Sequence, residues 1–220
     1  MSLDVTFKNQ KLLAQAFIHR SYLNEAKQPG LESNERLEFL GDAVLELITS
    51  EYLYLQLPDK PEGELTNLRS SLVKTDTLSQ VAQELELGQY LKMSHGEEQG
   101  GGRTNLSLLA NTVEALIGAL YLDQGISAAN HFAAQHIFSR LEQIIAKNLH
   151  HDYKSTLQEK IQAQGRATPT YHLVSEIGPD HHKEFTIEVK VDQQSLGIGK
   201  GASKQKAESS AAKNALEKLG

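Results

Sequence analysis

The 220-residue chain contains no cysteine, which excludes disulfides and thiolate metal sites and fits a reducing compartment. No positively charged segment leads into an apolar run and a cleavage site, so no secretory signal is expected. An uninterrupted apolar run approaching membrane length is missing too. In the most hydrophobic stretch, Thr104 to Leu122, the residues Asn105, Ser107, Asn111, Thr112 and Glu114 intervene, and no membrane span is expected. Excess positive charge is also absent. The formal net charge is −6, which taken globally argues against a polyanionic partner. That figure hides an asymmetry: residues 1–151 carry 12 Lys/Arg against 19 Asp/Glu, and residues 152–220 carry 10 against 9. Two domains with different partners are expected, and any polyanion contact must rest on local clusters. With 39% hydrophobic and 23% charged residues, the composition is that of a packed, soluble protein.

What is present centres on Asn34-Glu35-Arg36-Leu37-Glu38-Phe39-Leu40-Gly41-Asp42. At about 100° per residue, Glu35, Glu38, Asp42 and Glu46 share one narrow helical arc. Leu37, Leu40, Val44, Leu47 and Ile48 form the opposite, core-facing one. Like charges three and four apart destabilise a helix, and no lysine or arginine lies on the acidic arc. The arc is either a solvated face or one side of a divalent-metal site. Ser33 or Asn34 is placed to cap this helix, which should run to about Leu57 before Pro58.

The second informative segment, Thr104 to Leu122, has a single formal charge, Glu114. Apolar residues surround it almost completely, so the helix should be buried. A lone ionised carboxylate there costs several kcal/mol unless partnered; an arginine, a hydrogen-bond network or a metal could serve. Asn111 lies three residues earlier on the same face. If the two helices pack side by side, Glu38, Asp42, Asn111 and Glu114 converge as hard oxygen donors, which suit Mg²⁺ or Mn²⁺ better than zinc.

Helical spacing also covers Lys8–Tyr22, Leu65–Val73, Leu78–Leu85 and one long helix from Ser127 to Lys147. Residues 94–103, with Gly96 and Gly100-Gly101-Gly102, read as a loop. No strand-like alternation occurs in the first 150 residues, so the first domain should be all helical. After a polar linker the period changes: a short helix, strands at 171–177, 185–191 and 195–199, then a final helix capped by Ser203. Lys204 and Lys206 in its first turn are either solvated lysines or half of a phosphate site.

The run at 34–44, NERLEFLGDAV, resembles the signature of bacterial ribonuclease III, and LLANTVEALIGALYLD at 108–123 resembles that family's second acidic motif. Residues 154–220 look like a double-stranded-RNA-binding domain, with GPDH at 178–181 and SKQKAE at 203–208. The resemblance implies an all-α N-terminal endonuclease domain at 1–147, a linker at 148–153 and a small α+β (α-β-β-β-α) RNA-binding domain at 154–220. It implies a cytoplasmic homodimer that hydrolyses phosphodiester bonds in double-stranded RNA by a Mg²⁺-activated water, with Mn²⁺ as a substitute. The products would carry 5′-phosphate and 3′-hydroxyl ends, and the role would be rRNA and mRNA precursor processing.

By motif position, Glu38, Asp42, Asn111 and Glu114 match the metal ligands, with Asp42 and Glu114 catalytic. Glu35 and Glu62 match further acidic positions near the processing centre, and Phe39 the residue that docks into a partner subunit. Gln158, Gln162, His181, Lys204 and Lys206 match RNA-contacting positions. Two departures stand out. The family usually has Asp where this chain has Asn111, which opens the alternative of an RNA-binding protein with weakened or lost cleavage. Gln205 is neutral where many relatives carry a cation.

Overall fold

The computed structural model describes residues 6–146, 152–179 and 183–219. Its helices are α1 (Gln10–Ala16), α2 (Arg20–Ala26), α3 (Glu35–Gln56), α4 (Glu62–Val73), α5 (Thr75–Glu84), α6 (His95–Gln99), α7 (Leu106–Gln124), α8 (Ile126–His136), α9 (Leu141–Ala146), α10 (Tyr153–Ala163) and α11 (Lys204–Leu219). Three strands, β1 (Thr170–Ile177), β2 (Glu184–Val191) and β3 (Gln194–Gly201), lie between the last two. The chain divides into two compact units, Met1–His150 and His151–Gly220. His181 and most of the expected linker lie outside the described residues.

The first unit is wholly helical where described and is built around α7, whose residues from Ala115 to Leu120 are all buried. By length and mean hydropathy, 1.3, α7 could cross a bilayer; it serves instead as the core helix, packed against α3, α5, α8 and α1. The closest packing is with α3. A Cβ at Gly41 would fall inside the Glu114 carbonyl, and one at Gly118 would strike the Leu37 carbonyl. Two glycines in helix interiors, each unfavourable by about 1 kcal/mol relative to alanine, thus let the backbones touch. That crossing carries the two acidic motifs together.

Several boundaries differ from the sequence expectation. The 8–22 pattern is two helices, because Phe17 to His19 leave the helix and bridge another segment. Lys92 N–H donates to the Phe17 carbonyl at 2.8 Å and His19 N–H to the Lys92 carbonyl at 2.9 Å. The long helix expected from Ser127 to Lys147 breaks after His136 into a 3₁₀ turn at Phe138–Arg140 and then α9. The break buries Ile137 and Phe138, and Phe138 stacks on Tyr52 with ring centroids 4.2 Å apart. The glycine-rich 94–103 segment is not all loop. Ser94 caps α6 by accepting from Glu97 N–H, and Arg103 ties the segment down through the Gly88 and Leu91 carbonyls. On α3, Leu47 is 62% exposed rather than core, while Leu45 is buried.

In the second unit the strands pair antiparallel in the order β1-β2-β3. The alternation in β2 buries Ile187, Val189 and Val191. Leu157 and Ile161 of α10 and the alanine stripe Ala211, Ala212 and Ala215 of α11 share one core with Val189 and Val191. The order is helix, three strands, helix, as expected. Ser203 Oγ accepts from Lys206 N–H at 3.3 Å at the start of α11.

Candidate active site and RNA-binding face

The acidic arc of α3 is compensated at its ends and not in its middle. Arg20 approaches Glu35 at 3.7 Å, Ser33 Oγ donates to the same carboxylate at 2.9 Å, and Arg69 of α4 approaches Glu46 at 3.7 Å. These arginines come from other helices, which is why the arc looked unpartnered in sequence. Glu38 and Asp42, between the ends, instead face more negative charge from α7. Asn34, expected as a cap, holds the N-cap position without a side-chain capping bond; its amide donates to the Ala16 carbonyl at 3.2 Å, anchoring the start of α3.

Glu114 is half-buried beside Glu38 and Asp42. Burial, then the charges of Asp42 and Glu38, push its carboxyl up to about 7, with no cation among the described residues opposing them. Glu38 is also raised, first by burial and then by Glu35, while a hydrogen bond with the Asn111 side chain opposes that rise. The arginine partner considered for Glu114 is therefore not what the fold supplies. Asn111 lines the same cleft as Glu38 and adds an amide, not a charge, to the cluster.

The donors are all oxygen and their charges are mutually destabilising, so the set fits a hard divalent cation. Among the described residues no three His, Cys, Asp or Glu groups already stand at coordinating distance. Glu38 and Asn111 also line an open cleft of about 380 Å³ whose walls include Glu35, Arg20 and His19. Glu62 is not brought to this cleft. It opens α4 in a second cleft beside Tyr54 and Arg69, where Thr66 Oγ1 donates to it at 3.0 Å.

Phe39 is 81% exposed. It shares an arc of about 80° with Ala43, Leu47 and Tyr54, and all four are exposed. This apolar stripe runs beside the acidic arc, and a stripe of that kind on one helix marks an interaction surface. Sequence reasoning found Phe39 but placed Leu47 in the core.

On the second unit, Gln158 and Gln162 are exposed, one turn apart on α10. Lys204 and Lys206 are exposed in the first turn of α11, and Lys204 Nζ sits 6.0 Å from the centre of the Phe185 ring. Residues missed in sequence were Gly41 and Gly118, whose signal was a glycine inside each helical motif. Arg20 and Arg69 were also missed, and being remote in sequence they gave none.

A helical unit with a converging oxygen-donor cluster, carried on one chain with an α-β-β-β-α unit that exposes lysines and glutamines, defines a nucleic-acid-directed hydrolase. Residues 9–141 match the Ribonuclease-III-like family model and residues 153–219 the double-stranded RNA binding motif. The chain is 47% identical to a ribonuclease 3 of Roseiflexus sp. over 99% of this chain and 92% of that protein. It is 48% identical to one of Geobacillus sp. over 99% and 88%. A solved nuclease domain of ribonuclease III from Campylobacter jejuni matches at 39% identity and a TM-score of 0.58, covering 63% of this chain and 92% of that one. The chain belongs to the ribonuclease III family.

Proposed function

We propose that this double-strand-specific endoribonuclease cuts at the cluster of Glu38, Asp42, Asn111 and Glu114, and that Mg²⁺ or Mn²⁺ is the metal. The observation that carries the reading is the uncompensated middle of the acidic arc, set against Glu114 by the glycine crossing. A bound divalent ion would supply an acidified water and neutralise charge developing on the phosphoryl group. The chain's own residues do the rest. Glu38, Asp42 and Glu114 would hold the ion, and Asn111, which lines the cleft with Glu38, would offer a neutral amide oxygen beside them. Burial of Glu114 keeps bulk water from screening the cluster. Glu35, held by Arg20 and Ser33, stands at the edge where the RNA backbone enters.

The products of this hydrolysis carry 5′-phosphate and 3′-hydroxyl ends, and the setting we propose is rRNA and mRNA precursor processing in the cytoplasm. The exposed stripe Phe39, Ala43, Leu47 and Tyr54 supports a homodimer. The Campylobacter jejuni structure is described for flexibility in a region involved in dimer formation. A second copy would also bring a second Glu62, which within one chain stands apart from the cluster.

Duplex recognition falls to the second unit. Gln158 and Gln162 suit the 2′-hydroxyl-lined minor groove, and Lys204 and Lys206 the phosphates. Incubation of long duplex RNA with the protein and Mg²⁺ tests the reading; intact RNA with Mg²⁺ and with Mn²⁺ refutes it. Replacing Lys204 and Lys206 by alanine should reduce the slope of log affinity against log salt by about 1.4 to 1.8, since each phosphate neutralised adds roughly 0.7 to 0.9 to that slope. Filter binding across a salt series reads it. An unchanged slope would exclude the two lysines as phosphate ligands.

The alternative, RNA binding with lost cleavage, rests on Asn111 alone. Three carboxylates remain, and Asn111 keeps an amide oxygen in the same cleft, so we take Asn111 to tune metal affinity. Asn111→Asp adds a fourth carboxylate and should lower the Mg²⁺ concentration for half-maximal cleavage by about tenfold, equivalent to ~1.4 kcal/mol. Cleavage that appears only in Asn111→Asp would instead establish the alternative.

A further inference from the structure

The cleft beside the acidic cluster has a wall that the hydrolytic reading does not use. Arg20 is the only formal cation among its described lining residues. Its side chain is 72% exposed, with one long contact to Glu35. Next to it stands His19, placed with unusual thoroughness for a residue at the surface. His19 N–H donates to the Lys92 carbonyl. Its Nδ1 accepts from Ser21 N–H at 3.3 Å and lies 2.8 Å from Ser21 Oγ. Ser21 Oγ in turn accepts from Ser94 N–H at 2.9 Å. Segments 17–21 and 92–94 are thereby tied together around one imidazole.

The chemistry of that arrangement is specific. In the neutral ring, an Nδ1 that accepts from the Ser21 N–H leaves the proton on Nε2. Among the described residues Nε2 has no protein partner, and His19 lines the cleft. The wall of the cleft therefore includes an imidazole-bearing residue and a guanidinium, with Leu91 and Leu108 also lining it. Its volume, about 380 Å³, is in the range of clefts that take small ligands. A polyanion brought to a cluster of carboxylates needs fixed donors beside it, and contacts to phosphate set register rather than sequence.

We propose that His19 Nε2–H and Arg20 form a phosphate subsite that grips one backbone phosphate of the duplex next to the bond being cut. Ser21 acts as the positioning residue that fixes the imidazole. The inference rests on the hydrolytic reading of the neighbouring cluster. It goes beyond that reading in assigning to the nuclease unit its own substrate-registering contact, separate from the RNA-binding unit.

The test pairs protein variants with RNA variants. Duplexes carry a single neutral methylphosphonate, scanned across the phosphates flanking the cleaved bond, with a 2′-O-methyl group at the neighbouring ribose in substituted and control duplexes alike. Each duplex is cut by wild type, His19→Ala, Arg20→Ala, the double variant of these two and His19→Gln, and equilibrium binding without metal is read on the same series. Wild type should lose about tenfold in kcat/KM at one flanking position, the size expected for one charge-assisted hydrogen bond. In His19→Ala and in Arg20→Ala that penalty should shrink, and in the double variant it should vanish, while His19→Gln, which keeps a donor, retains more of it than His19→Ala.

Variants that keep the wild-type phosphate penalty, in cutting and in binding, overturn the subsite whatever their absolute activity. If wild type leaves unmodified duplex intact, the hydrolytic reading fails. The binding series then judges the subsite separately: loss of the phosphate preference in the variants supports it, and an unchanged preference overturns it.

Discussion

Replacing Glu114 with glutamine should abolish cleavage and at the same time stabilise the metal-free protein. The loss in kcat should be roughly 10³-fold or more, about 4 kcal/mol, because the carboxylate we propose as a metal ligand becomes a neutral amide. Duplex affinity should stay within about twofold, since binding rests on phosphate and 2′-hydroxyl contacts made elsewhere. The stability change follows from the carboxyl being pushed up to about 7 by burial and by Asp42 and Glu38.

A carboxyl whose folded value lies above its unfolded one favours the fold while protonated. That contribution is complete below pH 4.5 and is lost as pH rises through about 7. Without metal, wild-type stability should therefore fall between these limits. The ceiling is about 3 kcal/mol, and the change expected is about 1–2 kcal/mol because water screens a half-buried group. Glu114→Gln removes that fall, so at pH 8 its Tm without metal should exceed wild type by several degrees. Saturating Mg²⁺ should close the gap by stabilising only the wild type. Thermal melts across pH, with and without Mg²⁺, read all of this. A variant that melts lower than wild type at pH 8 without metal would mean that Glu114 is a structural partner.

Gly41→Ala should be the most damaging single methyl addition in the nuclease unit. The new Cβ would occupy the space of the Glu114 carbonyl, and backbone cannot swing aside as a side chain can. The expected destabilisation is about 3 kcal/mol or more, at the upper end for overpacking, with cleavage abolished because α3 must move off α7. Gly63→Ala, on the exposed first turn of α4 with nothing near its added Cβ, is the control. It should stabilise by a few tenths of a kcal/mol through helix propensity. Chemical denaturation of the two variants distinguishes them, and equal stabilities would refute the close helix crossing.

The same crossing explains what could be read from the sequence. The acidic arc and Glu114 were legible because each is a departure from pattern on its own helix: four like charges in line, and one charge among apolar residues. Their meeting depends on Gly41 and Gly118, which carry no charge and no periodicity of their own. The α-β-β-β-α order was legible because the strand period of 2 gives way to the helical period. The breaks at Phe17–His19 and at Ile137 were not, for neither contains glycine or proline. Tertiary contacts set them, through Lys92 in one case and Tyr52 in the other. Leu47 was misplaced because hydrophobicity cannot distinguish a core-facing leucine from one awaiting a partner. Arg20 and Arg69 were invisible as partners of Glu35 and Glu46, since ion pairs between helices leave no local spacing.

The central claim is that the four-residue cluster on α3 and α7 is the hydrolytic centre and is complete with asparagine at 111. It is tested most directly by single-turnover cleavage of one defined duplex RNA, titrated with Mg²⁺, for wild type, Glu114→Gln and Asn111→Asp. Wild type should cut, Glu114→Gln should not at any Mg²⁺ concentration, and Asn111→Asp should cut at lower Mg²⁺. Wild-type inactivity across the titration, or full activity of Glu114→Gln, would contradict it.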